Sequence, residues 1–143
     1  MFQMQELKNS KSLILKSKEQ EGFKLNKINL QDKYNMIDEH WDPKIIGEVN
    51  DMYVKLAKIK GAFEFHTHQD EDELFYLFKG QITMKYRDRE EVIKEGEMVI
   101  VPKGVEHKPY AEKEAHIMLF ESKETVNTGD QENEFTKLEE DWI

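Results

Sequence analysis

Between Met52 and Glu121 apolar and polar positions alternate in short runs, at 52–60, 61–68, 73–79, 81–87, 91–94, 98–102, 105–111 and 115–121. A period of two is the signature of β-strands. Gly61, Gly80, Gly96, Gly104, Pro102 and Pro109 punctuate the runs, as tight turns require. Short strands at this density predict an antiparallel sandwich or a closed barrel. In the run 73–79, Glu73, Phe75 and Leu77 share one face, and Leu74, Tyr76 and Phe78 the other. A strand apolar on both faces is expected to be buried on both. Upstream, Leu30, Tyr34, Ile37 and Trp41 recur at helical spacing, which predicts one short helix from Asn29 to Trp41 that Pro43 stops. Residues 1–26 lack strand alternation and are expected to be an N-terminal extension, leaving 27–143 as a single domain. The tail from 122 is polar until Phe135, Leu138, Trp142 and Ile143, which are expected to tie it back onto the barrel.

Composition narrows the chemistry. A chain of 143 residues with 8 Phe, 5 Tyr and 2 Trp can build one small, aromatic-rich core. It has no cysteine, so disulfides, thiolate nucleophiles and Cys-type metal sites are excluded, and a reducing compartment is expected. The net charge is -9, with most lysines interleaved among acids, which argues against nucleic acid as a partner. No run approaches the roughly 20 apolar residues of a membrane span, nor a secretory leader, so no membrane partner and a cytoplasmic location are expected. Residues 1–27 differ in sign, with six lysines against Glu6, Glu19 and Glu21.

The candidate chemistry lies in Gly61–Gly80 and Gly96–His107, which hold three of the 5 histidines. Alternate strand positions project from one face, so His66 and His68 can present two imidazoles to one point. Glu73 from the next strand and His107 from a later one would complete a four-ligand site that leaves positions open on an octahedral ion. A carboxylate starting a doubly apolar strand carries a desolvation cost that a cation would offset. His40, alone, reads as a surface or hydrogen-bonded side chain, and Asp70-Glu71-Asp72 as a solvated turn.

These residues resemble the cupins, whose motifs are G(X)5HXH(X)3-4E(X)6G and G(X)5PXG(X)2H(X)3N. His66, His68, Glu73 and Gly80 keep the spacings of the first, and Gly96, Pro102, Gly104 and His107 those of the second. The chain departs from the pattern twice: four residues separate Gly61 from His66, and Ala111 stands where the pattern has Asn. The resemblance covers about 27–143 and extends to single-domain bacterial cupins, often labelled mannose-6-phosphate isomerase-like, through the Thr125–Gly129 segment and the Trp-Ile end. It implies an all-β double-stranded β-helix, the jelly-roll barrel, here preceded by the short helix and the extension. It also implies His66, His68, Glu73 and His107 as ligands of one divalent transition metal, among Fe, Mn, Ni, Co, Cu and Zn, and a homodimer paired through its sheets.

Strand parity nominates Glu64, Phe75, Ile82, Met84, Tyr86, His116 and Met118 as pocket residues, a mainly apolar wall suited to a small-molecule ligand. The only arginines, Arg87 and Arg89, fall in an apparent turn, which weakens a phosphosugar isomerase reading. Two functions are carried forward. One is a metal-dependent enzyme, oxygenase- or isomerase-type, on a small organic molecule; the other is a non-catalytic metabolite- or metal-binding sensor.

Overall fold

The structure is a computed structural model that describes residues 26–143; the expected extension lies almost wholly outside them. Among the described residues one short helix, α1 (Leu30–Tyr34), precedes seven strands: β1 (Lys44–Val49), β2 (Met52–Ala62), β3 (Glu73–Lys79), β4 (Gln81–Lys85), β5 (Glu90–Lys94), β6 (Met98–Val101) and β7 (Lys108–Ser122). All named pairings are antiparallel, in the order β1-β2-β7-β3-β6, with β4 joined to β7 and β5 to β4. The chain is therefore an all-β jelly roll built around β7, which pairs with three other strands. Bulges at Ile59/Gly61 and Leu77/Lys79 interrupt the ladders that β7 makes with β2 and β3, and bulges of this kind let long strands bend.

The expected elements differ from this in four ways, each with a local cause. The helix ends at Tyr34 instead of Trp41, because after Asn35 N, which donates to Gln31 O, the backbone closes three-residue turns, Met36 N to Lys33 O and Ile37 N to Tyr34 O, and Trp41 lies outside it with a left-handed φ of 60°. Strand β1 was hidden by an irregular pattern, Ile45-Ile46-Gly47, all buried, whose register against β2 shifts between Ile45 and Gly47. The run 61–68 is not a strand; beyond Ala62 only His66 pairs, with His107. The runs 105–111 and 115–121 prove to be one strand, whose exposed Glu112-Lys113-Glu114 stretch reads as a turn in sequence.

Two apolar layers lie on either side of the sheet. The barrel interior holds Ala57, Ile59, Phe75, Leu77, Ile82, Met84, Ile117 and Leu119. The outer layer holds Tyr34, Ile37, Ile46 and Leu56, with Phe78 and Met118 packed against it. Helix α1 is pinned there by Tyr34, whose hydroxyl donates to Ile117 O at 2.6 Å and whose ring stacks on Phe78 and His116 at 4.9 and 4.8 Å. Glu114 bridges two histidines, with His40 Nε2 at 2.8 Å and His116 Nε2 at 3.1 Å. Those contacts, His40 first, lower its pKa to about 2. In the tail Trp142 bridges to Ile45 and meets the Tyr53 ring edge-on, whereas Leu138 is 83% exposed and ties nothing down.

Candidate metal centre

His66 and His107 sit side by side because each backbone N–H donates to the other's carbonyl at 3.0 Å. Gly104, at φ +81° in the turn after Pro102, donates its N–H to His68 O at 2.8 Å, and Lys103 N donates to Asp72 Oδ1 at 2.9 Å. Part of the acidic run thus caps the turn that carries His107. The ring centroids lie 4.3 Å apart for His66 and His107, 5.0 Å for His66 and His68, and 5.6 Å for His68 and His107. Glu73 opens β3 beneath them, with Oε2 2.9 Å from His68 Nε2 and Oε1 3.8 Å from His107 Nε2. One ligating atom from each of the four residues falls within 4.8 Å of all the others, and all four residues are buried.

The tautomers follow from the outer contacts. His66 Nδ1 faces Glu64 O and His107 Nδ1 faces Val105 O, both at 2.9 Å. A carbonyl only accepts, so each Nδ1 carries the proton and each Nε2 lone pair is free to ligate, as in the outer-contact pattern of metal-bound imidazoles. The Nε2 atoms of His68 and His107 are buried and make no well-aligned hydrogen bond among the described residues, their nearest partner being the Glu73 carboxylate at 2.9 and 3.8 Å. Buried nitrogens without a hydrogen bond are rare and need an explanation; a cation at their common focus would supply it. Burial first, and then the His107 charge, lowers the His66 pKa to about 4, keeping it neutral as a ligand must be. Burial alone would raise the Glu73 pKa, but the imidazoles of His107 and His68 outweigh it and hold the carboxyl well below its usual range. Burial likewise opposes protonation of His68, and there the Glu73 contact wins, raising its pKa.

Comparison with known proteins agrees with this geometry. The family model described as "Cupin domain" matches residues 52–122. A crystal structure of a cupin-2 domain containing protein from Shewanella frigidimarina is 43% identical, with a TM-score of 0.67, and the match covers 67% of this chain and 94% of that one. The chain belongs to the cupins. "Uncharacterized protein YdbB" of Bacillus subtilis is 39% identical over 64 residues, 44% of this cupin and 57% of that protein. "Putative dioxygenase SSO1533" of Saccharolobus solfataricus is 30% identical over 76 residues, 53% of this cupin and 20% of that protein. The cupin thus spans just over half of the first of these curated relatives and a fifth of the second.

His66 and Glu73 of this cluster also line an apolar cavity of about 40 Å³, enough for about three water molecules. Phe63, Phe75, Ile117 and Leu119 form its walls and Trp41 reaches it from the segment after α1; its polar lining is His66, Glu73, Glu121 and Asn127. Of the residues nominated from sequence, Phe75 lines the cavity. Ile82 and Met84 lie in the barrel interior away from it, and Tyr86 packs against that core with the Arg89 guanidinium 4.6 Å above its ring. Glu64 is exposed and gives only its carbonyl to His66. His116 and Met118 face the outer layer with Tyr34; the inward set on β7 is Ile117, Leu119 and Glu121. The register sets that side, since Ile117, Leu119 and Glu121 stand directly opposite Leu77, Phe75 and Glu73 of β3, and directly opposed residues share a face.

Sequence reading passed over Glu121 and Lys55. Glu121 is the cross-strand partner of Glu73 and is 1% exposed. Its Oε1 accepts from Lys55 Nζ at 2.8 Å, and Lys55, 1% exposed, also binds Glu140. The available signal was spacing: Glu121 falls two and four residues after Leu119 and Ile117, in phase with an inward apolar set.

Proposed function

We propose that this cupin is a metal-dependent enzyme acting on a small, largely apolar organic molecule, with oxygenation as the favoured reaction type. The observation that carries the reading is the convergence of three imidazoles and one carboxylate, two of which, His66 and Glu73, also line an apolar cavity. A divalent transition ion bound there would supply Lewis acidity and redox capacity beside the cavity. His66, His68, His107 and Glu73 would hold it, and four side chains leave two positions of an octahedral ion free. Phe63, Phe75 and Leu119 exclude water, while Glu121, fixed by Lys55, offers the cavity a carboxyl group that can hold the polar end of a substrate. The similarity to a protein named as a dioxygenase supports the oxygenase form. A sugar-phosphate reading is disfavoured: Arg87 is engaged by Glu106 and Arg89 by Glu91, and no arginine or lysine lines the cavity among the described residues.

Purified protein should contain about one transition metal ion per chain, and the iron-loaded form should consume oxygen with some member of a panel of small aromatic and aliphatic acids, alcohols and diketones. Metal at background level in protein refolded with each candidate ion would end the reading.

We also propose the homodimer. Met98 and Ile100 on β6 are 58% and 52% exposed, and their partners across the ladder are Tyr76 and Leu74, so an apolar outer face continues past the part that α1 covers. Light scattering at micromolar concentration should give twice 17.1 kDa; a single-chain mass would refute the pairing.

A further inference from the structure

The family match ends at Ser122, yet the residues beyond it reach the metal centre from two sides. On the first side, Asp130 exchanges two hydrogen bonds with the residue between the paired histidines: Asp130 N donates to Thr67 O at 3.0 Å, and Thr67 N donates to Asp130 Oδ1 at 2.8 Å. Gly129, at φ +58°, lies so close that an added Cβ would overlap the Thr67 carbonyl and stand 3.2 Å from His66 Cδ2. Only glycine both accepts that φ and leaves the space. The approach is itself braced. Asn127 lines the cavity while its amide is locked at both ends, Nδ2 donating to Phe135 O at 2.7 Å and Oδ1 accepting from Lys137 N at 2.8 Å. Phe135 packs at 5.1 Å from Phe63 and 6.0 Å from Trp41, both on the cavity wall. On the second side, Glu140 binds Lys55, which holds Glu121 opposite Glu73.

We propose that residues 123–143 are a positioning element of the metal centre, in which Gly129 and Asp130 fix the His66–His68 run at ligating geometry. The inference rests on the metal reading above and deepens it. The two histidines lie in irregular chain, not in a strand, with one isolated bridge at His66. Their aim therefore depends on what is packed behind them, and the strap supplies that packing on the side away from His107. Outer groups that orient metal ligands typically change metal affinity by about 10–100-fold when removed.

The test uses the full chain and Co(II), titrated against a competing chelator, with the thermal midpoint of the metal-free protein as the second readout. Asp130→Ala removes the acceptor for Thr67 N and should weaken Co(II) binding by about tenfold, whereas Asp130→Asn keeps an acceptor oxygen at that position and should stay within about threefold of the parent. Gly129→Val should weaken it at least as much as Asp130→Ala; if that variant does not fold, the Asp130 pair decides alone. Asp130→Ala binding Co(II) as tightly as the parent, whatever its midpoint, would overturn the strap while leaving the metal centre intact. A parent that does not bind Co(II) would instead overturn the reading on which the strap rests.

Discussion

Replacing Lys55 by methionine should destabilise the folded protein by about 3–5 kcal/mol, the range for removing one partner of a buried ion pair. Lys55 and Glu121 are each 1% exposed, and Glu140 also reaches the ammonium. Without the lysine, two carboxyl groups stay in the interior facing only each other's field and that of Glu73. Burial first, and then the charge of Glu73, already raises the Glu121 pKa, and burial raises that of Glu140 despite Lys55. Burial opposes charge on Lys55 as well, but the two carboxylates outweigh it and its pKa is raised. The loss should appear as a lower urea midpoint at unchanged slope. Replacing the trio together, with Lys55→Met, Glu121→Leu and Glu140→Leu, should recover most of it, since apolar substitutes for a whole buried ionic cluster are often neutral or better. A single-variant loss below about 1 kcal/mol would mean that the orphaned carboxyls reach water.

The second large effect is on metal. His68→Ala removes an Nε2 that faces the Glu73 carboxylate at 2.9 Å, and Glu73→Gln removes the one anionic ligand. Each should cut bound metal to below about a tenth of the parent's content after dialysis, because the first variant leaves three donors and the second exchanges the anionic donor for a neutral amide. The controls are Glu64→Gln, whose contribution to His66 is a backbone carbonyl, and His116→Gln on the outer layer; both should keep full metal content. Elemental analysis across the four variants checks the set, and a His68→Ala protein with parental metal would relocate the site.

The candidate site was more legible in the sequence than the fold's boundaries were. Four residues at cupin spacing signalled themselves because ligand chemistry restricts residue type, and the structure brings His66, His68, Glu73 and His107 together. The reason first given for His66 and His68 sharing a face was a strand, however, and they share it without one, held by His107, Gly104 and Asp130. The pocket wall was legible only at Phe75. Strands apolar on both faces, such as β3, and a β7 whose inward and outward sets both contain apolar residues give alternation no polarity by which to choose a side. Of the charged interior, Glu121 was readable only by its phase with Ile117 and Leu119, and Lys55 was hidden because a charged residue in a strand is ordinarily taken as its wet face.

The central place of β7 also governs when the barrel can form. It is the last of the described strands, yet it pairs with β2, β3 and β4, so those three strands wait for partners up to about seventy residues downstream, as in Met52 with Ser122. During synthesis from the N-terminus, the apolar faces of β2 and β3 remain open until Ser122 has left the ribosome, and no smaller set of strands closes the sheet. Long-range pairing of this kind is slow and exposes unpaired edges. A chain truncated within β7 should therefore fail as an aggregate instead of persisting as a smaller barrel.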